Sequence, residues 1–268
     1  MKLGFIGGGT MAEAMIAGVL KQQAASPASI TASDIVAARR DYLSKTYRIA
    51  TTDDNKQAVV GADLVVLAIK PQQLGEVLGG LRGSLKSSQA VLSIVAGARI
   101  ESISSGLGHD LIIRAMPNTP GQIGAGITAW TATRQVGKAH REAARSVLAA
   151  LGTEIYFADE KFIDIATALS GSGPAYVFLM IEALTDAGVY LGMPRESAAQ
   201  LAIHTVVGSG MMALQSAEHP ASLRNKVTSP GGTTAAALRV LDNEGFRTAL
   251  INAVIAAYEK AIELGKKS

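Results

Sequence analysis

Short apolar runs alternate with segments of helical period as far as Phe157, and beyond that point only long helical segments remain. The first run, Leu3-Gly4-Phe5-Ile6, passes straight into Gly7-Gly8-Gly9-Thr10-Met11-Ala12 and then into the apolar-periodic stretch 14–20. That order predicts a strand, a glycine turn and a helix. A second strand is expected over Ile30-Thr31-Ala32-Ser33. The short piece Tyr47-Arg48-Ile49-Ala50 follows, then a polar turn at 52–55 and a helix-compatible segment to Gly61. Residues 63–69 are continuous, apolar and β-branched, as expected of a parallel strand covered on both faces. They end at Lys70-Pro71-Gln72, where Pro71 is expected to start the next helix. Residues 90–95 and 111–116 predict further strands, the second stopped by Pro117 and Pro120. A pair of strands at 126–130 and 154–157, flanking a helix from about 138 to 151, closes a first domain expected over 1–160.

The remainder, 161–268, reads as an all-α domain. Its segments 174–190, 196–216 and 246–264 are apolar on nearly every face. A helix apolar all round must be buried all round, and a stretch this short cannot enclose three of them. A homodimer that shares its helical layer is therefore expected. No uninterrupted apolar stretch reaches the roughly 18 to 20 residues that span a bilayer, so the expectation is an interface and not a membrane. The fold class expected is α/β, a Rossmann-like dinucleotide-binding domain followed by a helical dimerisation domain.

Composition narrows the chemistry. The chain has 268 residues, 48% hydrophobic and 18% charged, with a formal net charge of +3 and 4% aromatics. Scattered basic residues with few aromatics point away from nucleic acid. The absence of cysteine removes disulfides, thiol catalysis and cysteine-held metals, and suits a cytoplasmic enzyme. His109, His140, His204 and His219 lack metal-ligand spacing and read as surface or packing residues, so no metal is expected. Lys2 and the apolar run behind it faintly resemble a secretory signal. Glu13 breaks the run and glycines occupy its core, so the N-terminus is read as uncleaved.

Six stretches carry candidate function. Gly7-x-Gly9-x-x-Ala12 has dinucleotide-fingerprint spacing in its required context, between a strand and a helix. The bland alternative is a glycine turn that binds nothing. At the end of the second strand, Ser33 with Arg39 and Arg40 suits the 2′-phosphate of NADPH, while Asp34 suits the ribose of NADH. The balance favours NADPH and leaves NADH open, the arginines otherwise being a solvated helix face. Residues 68–71, just past a parallel strand, belong beside the cofactor, and Asn118 and Thr119 lie on a crevice-edge loop. In the helical half, Ser170-Gly171-Ser172-Gly173-Pro174 is expected to start a helix with its backbone donors free. Thr228-Ser229-Pro230-Gly231-Gly232-Thr233-Thr234 opens another with two glycines and four hydroxyls, a cradle for a carboxylate-sized anion or simply a capped helix start.

Together, 4–12, Ala68-Ile69-Lys70-Pro71, Arg114-Ala115-Met116-Pro117-Asn118-Thr119-Pro120, 169–176 and 228–234 resemble the Δ1-pyrroline-5-carboxylate reductases from end to end. That resemblance implies NAD(P)H reduction of a cyclic imine to L-proline, the last step of proline biosynthesis. It also implies a helical dimerisation domain, often with dimers assembled into rings. It places the cofactor against Ile6, Gly7, Gly8, Gly9, Thr10, Met11, Ser33, Asn55, Ala68, Ile69, Lys70 and Pro71. The substrate carboxylate falls against Ser229, Pro230, Gly231, Gly232 and Thr233, with the Thr234 hydroxyl near the ring nitrogen as the catalytic group. Where the family often has asparagine, this chain has Lys226, preceded by Asn225. The nearest rivals are a β-hydroxyacid dehydrogenase and a cofactor-binding sensor. The first needs a lysine that 174–191 lacks, and the second has no use for the 229–234 turn.

Overall fold

The computed structural model describes residues 1–266, which form two compact units: Met1–Ser172 together with the end of the chain from Ala257, and Gly173–Ala256. The first unit opens with β1 (Leu3–Ile6), α1 (Thr10–Lys21), β2 (Ile30–Ser33), α2 (Ala37–Tyr47), β3 (Ala50–Thr52), α3 (Asn55–Val59) and β4 (Leu64–Leu67). It continues through α4 (Leu74–Leu81), β5 (Ala90–Ser93), α5 (Ile100–Leu107), β6 (Ile112–Met116), β7 (Gly126–Ala132), α6 (Lys138–Ala149), β8 (Gly152–Tyr156) and α7 (Lys161–Ala166). The strands make one sheet in the order β3-β2-β1-β4-β5-β6-β7-β8. Pairing is parallel from β3 through β6, antiparallel between β6 and β7, and parallel again between β7 and β8.

The alternation of side chains along each strand builds a core on both faces. Phe5, Leu64, Val66, Leu92 and Ile113 pack on one side with Met15, Ile16 and Val19 of α1 and Val147 and Leu148 of α6. Ile6, Val65, Leu67, Val91 and Ile112 pack on the other with Leu74, Leu78 and Leu81 of α4 and Ile103 and Leu107 of α5. Because both faces are covered, β1 and β4 are buried along their whole length, hence their unbroken apolar sequence. Register puts Ser33, Ile6, Leu67, Ser93 and Arg114 in one row across the sheet, so these strands deliver their carboxyl ends to a common edge. The strand order reverses between β1 and β4, and such a switch point opens a crevice at that edge.

Some boundaries differ from the sequence expectation. Tyr47 closes α2, and Arg48 turns the chain in the left-handed region at φ 56, so the third strand starts only at Ala50. Pro71 begins a single 3-10 turn, Pro71–Gln73, ahead of α4. The stretch 170–174 is not a free helix start. α7, a π turn at Thr167–Gly171 and the next helix run on as Lys161–Tyr190, and the Ser172 amide donates to the Thr167 carbonyl at 2.9 Å. A helical phase is carried through the glycines because the π turn absorbs one extra residue.

The second unit holds α8 (Gly173–Tyr190), α9 (Arg195–Gln215), α10 (Pro220–Lys226), α11 (Thr233–Asn243) and the start of α12 (Phe246–Lys266). Within one chain their apolar side chains lie largely outward: Phe178, Leu179, Leu201 and Met211 are more than half exposed, and Leu214 is 87% exposed. By length and composition alone, Lys161–Tyr190 and Arg195–Gln215 are long and apolar enough to cross a membrane. Neither is an uninterrupted apolar stretch, because Glu182 and Asp186 interrupt the first and Gln200 and His204 the second.

A buried charge ties α7 to the sheet. Arg114, 2% exposed in β6, donates to Glu160 at 2.8 Å and to Asp164 at 2.6 Å, and the same Glu160 oxygen accepts the Ile100 amide at the start of α5. Removing one partner of a buried pair leaves the other charge desolvated and alone. Arg114→Ala is expected to lower stability by about 3 kcal/mol or more in guanidinium unfolding. A loss below about 1 kcal/mol, typical of an exposed pair, contradicts this reading of the cluster.

Candidate active site

The turn after β1 is held where the turns after β2 and β4 meet it. The Gly7 amide donates to the Ser33 carbonyl at 2.9 Å, and the Ala68 amide donates to the Ile6 carbonyl at 2.9 Å. Gly7 has φ +92, and a Cβ there would lie 2.6 Å from the Ala68 carbonyl oxygen, so no other residue fits. Gly9 is different. It caps α1 without a side-chain bond, it is exposed, and a Cβ on it would meet no atom within 4 Å. The first amides of a helix have no acceptor inside it and carry the positive end of its dipole. The opening above Gly9, Thr10 and Met11 therefore fits a pyrophosphate, with room for the phosphates where a side chain would stand. The structure brings Ile6, Gly7, Ser33, Ala68 and Ile69 together around this turn, with Ile69 Cγ2 3.0 Å from the position of a Gly7 Cβ.

Ser33 has an internal role in this arrangement. It is fully buried, and its hydroxyl donates to the Asn55 Oδ1 at 2.6 Å and approaches the Phe5 carbonyl at 3.2 Å. It braces half-exposed Asn55 and does not itself face solvent. Next to it, the Asp34 carboxylate accepts the Gly8 amide at 2.9 Å and the Val36 amide at 2.9 Å. The Arg39 guanidinium donates to the Gly8 carbonyl and pairs with Glu13, while Arg40 donates to the Asp34 carbonyl at 2.8 Å. Glu13 also accepts the hydroxyls of Tyr42 at 2.9 Å and Tyr47 at 2.8 Å. Burial works to raise the Glu13 carboxyl, but the bonds from Arg39, Tyr47 and Tyr42 outweigh it and hold it below its ordinary value. Burial first, and the bond to Glu13 second, push the Tyr47 phenol up. The glycine turn is thus gripped by Asp34 just after β2 and by Arg39 of α2, a contact between residues far apart in the chain that no local spacing reveals.

Lys70 and Pro71 are exposed beyond β4, at the same edge as Ala68. Asn118 is committed to the fold: its side-chain oxygen accepts the Ile127 amide at 3.0 Å and fixes the start of β7, leaving Thr119 exposed. The histidines whose contacts are resolved act locally. His109 and His140 bond the carbonyls of Gln89 and Ser88, and His219 accepts the Ala221 amide at the start of α10.

In the second unit, Gly231 has φ +68 and Gly232 caps α11, with its amide donating to the Ser229 carbonyl at 3.0 Å. Ser229, Pro230, Gly231 and Thr233 are exposed, and Gly232 and Thr234 are half-exposed. The Thr228 hydroxyl is spent on the Arg224 carbonyl at 2.7 Å. Among the described residues, the hydroxyls of Ser229, Thr233 and Thr234 have no internal partner and sit with the first amides of α11. Lys226 pairs with Glu218, so its charge is turned to its own unit.

Comparison with known proteins follows this division. Residues 160–264 match the family model described as pyrroline-5-carboxylate reductase dimerisation, and residues 2–97 match the one described as NADP oxidoreductase, coenzyme F420-dependent. The pyrroline-5-carboxylate reductase of Synechocystis sp. is 45% identical over 100% of this chain and 99% of its own length. The chain belongs to the pyrroline-5-carboxylate reductase family. A solved reductase of this family from Coxiella burnetii shares 38% identity with a TM-score of 0.92, covering 98% of each chain. Another from Plasmodium falciparum, solved with NADP bound, shares 32% identity with a TM-score of 0.89, covering 99% of this chain and 98% of that one. Membership makes this chain an oxidoreductase that uses a nicotinamide cofactor and a small-molecule substrate. It also makes the chain an oligomer, and the dimerisation match covers both long apolar helices in full.

The two glycines separate fold from binding. Gly7→Ala is expected to lower the melting temperature sharply, because its Cβ meets backbone at 2.6 Å. Gly9→Ala is expected to melt within a few degrees of the parent yet lose nicotinamide-cofactor affinity about tenfold or more, as read by fluorescence titration. Normal cofactor binding by Gly9→Ala contradicts the placement of the pyrophosphate.

Proposed function

We propose that this chain reduces 1-pyrroline-5-carboxylate to L-proline with NADPH, acting as a cytoplasmic homodimer joined through its helical domain. The observation that carries the substrate half of this reading is the turn Ser229, Pro230, Gly231, Gly232, Thr233 and Thr234. A dinucleotide-binding unit alone suits any dehydrogenase. An exposed helix start with unspent hydroxyls suits the one negatively charged group of this substrate, its carboxylate.

The reaction needs little from the protein beyond orientation. A protonated imine is already electrophilic at carbon, and the nicotinamide cofactor, when bound, supplies the hydride. The first amides of α11, from Thr233 on, and the hydroxyl of Ser229 hold the carboxylate, which fixes the ring by one end. The Thr234 hydroxyl oxygen accepts the N–H of the protonated ring nitrogen, steadying the proton there while the carbon is reduced. No histidine, thiol or metal is called on. In the first unit, Gly9, Thr10 and Met11 take the pyrophosphate, and Asn55, held by Ser33, lies with Lys70 and Pro71 at the rim.

The preference for NADPH over NADH rests on Arg39 and Arg40 on the first turn of α2, whose guanidinium groups pair with Glu13 and Asp53 in this structure and would share their donors with a 2′-phosphate. Asp34 does not oppose a 2′-phosphate as a free acid would, since both of its oxygens already accept backbone amides.

Mixing the protein, pyrroline-5-carboxylate and each reduced cofactor, and following nicotinamide absorbance, tests the reading. The expected result is turnover with a higher kcat/KM for NADPH. In the same assay Thr234→Ala is expected to lower kcat at least about tenfold with cofactor affinity unchanged. A flat trace for the parent protein that still binds cofactor favours the sensor alternative, and an unchanged kcat removes Thr234 from the mechanism.

A further inference from the structure

The π turn Thr167–Gly171 interrupts an otherwise regular helix, and its place in the first unit gives it a task. It ends on Gly171, which lies against Met116, the last residue of β6 and half-exposed at the carboxyl edge of the sheet. A Cβ on Gly171 would stand 2.8 Å from the Met116 Cε, and the next nearest atoms, the Met116 Cγ at 3.6 Å and the Ala166 carbonyl oxygen at 3.7 Å, are ordinary contacts. The π turn, which carries one residue more than an α-helical turn, ends here on a residue without a side chain set against the thioether. The turn is built to persist: Thr167, Ser170 and Ser172 return their hydroxyls to the carbonyls of Ile163, Ala166 and Thr167 at 2.8, 3.0 and 3.1 Å.

Topology says what Met116 faces. With the pyrophosphate on the turn after β1, and Asp34, Arg39 and Arg40 beyond β2, the adenosine half of a dinucleotide extends toward β2 and β3. The other half then lies over the ends of β4, β5 and β6, the last of which is Met116. A thioether is polarizable and packs well against a flat aromatic ring. We propose that Gly171 is a positioning residue: by leaving its Cβ space empty on the π turn, it seats the Met116 side chain as the apolar wall against which the nicotinamide ring is set. This rests on the reductase reading above, and it deepens that reading by naming what holds the ring.

The variants Gly171→Ala, Met116→Ala and the double variant test it, each with two readouts. The clash is with the far end of a flexible side chain, so Gly171→Ala displaces Met116 at little cost to the fold and its melting temperature is expected to stay near the parent's. The first readout is the emission of protein-bound NADPH, which reports the surroundings of the reduced ring whether or not pyrroline-5-carboxylate is the substrate. The second is kcat at saturating cofactor. Gly171→Ala and Met116→Ala are each expected to change the bound emission and lower kcat about tenfold, while leaving NADPH affinity within about twofold. The double variant is expected to be no worse than Met116→Ala, since the two act through one side chain. The proposal is overturned if Gly171→Ala leaves the emission unchanged, or if its loss multiplies with that of Met116→Ala. A parent protein inactive on pyrroline-5-carboxylate strikes the reductase reading instead, and the emission series still decides the role of Gly171.

Discussion

The approach of backbone to backbone at Gly7 is the constraint on which the first unit depends. Two parallel strands, β1 and β4, end side by side, and the chain leaving β1 runs so close to β4 that a Cβ on Gly7 would lie 2.6 Å from the Ala68 carbonyl oxygen. Only a residue without a side chain and with φ +92 makes that passage. Once it is made, α1 starts beside the switch point of the sheet with its first amides turned to open space, and the adjoining strand ends form the rest of the rim. The proposed nucleotide site is therefore a by-product of how tightly two strands are packed and how sharply one of them is left.

Much of this is legible in the sequence because it is local. The strand–glycine–helix order at the N-terminus, the unbroken apolar run of β4 and the proline stop after β6 each follow from neighbours a few residues apart. The ends of β1 and β2 coincide with the expected ones. What local pattern does not carry is contact between distant residues. Arg114 reads as one polar residue in a strand, and its neutralisation by Glu160 and Asp164 appears only when α7 is laid on the sheet. Ser33 has the residue type of a phosphate contact, yet its hydroxyl is consumed by Asn55. Glu13 is visible as an odd charge in an apolar helix, but its three partners come from α2. The π turn has no compositional mark that separates Ser170-Gly171-Ser172-Gly173 from a helix cap.

The second unit answers a different constraint. Helices with apolar residues on every face leave Leu191 84% and Leu214 87% exposed in a single chain, a surface too greasy to stay bare in water. The family's dimerisation region spans 160–264 and covers these residues. The excess hydrophobicity seen in the composition is thus assigned to assembly, and the hydroxyl-bearing turn before α11 lies within the same stretch. In the reading proposed above, substrate binding and subunit association share one short piece of sequence.

Amide hydrogen exchange, with and without NADPH, bears most directly on the claim that the open start of α1 takes the pyrophosphate. The account predicts that exchange slows most at Gly9, Thr10 and Met11, with a second, smaller effect at 68–70. Unchanged exchange at Gly9 to Met11, with protection appearing instead at a surface such as residues 23–29, contradicts it.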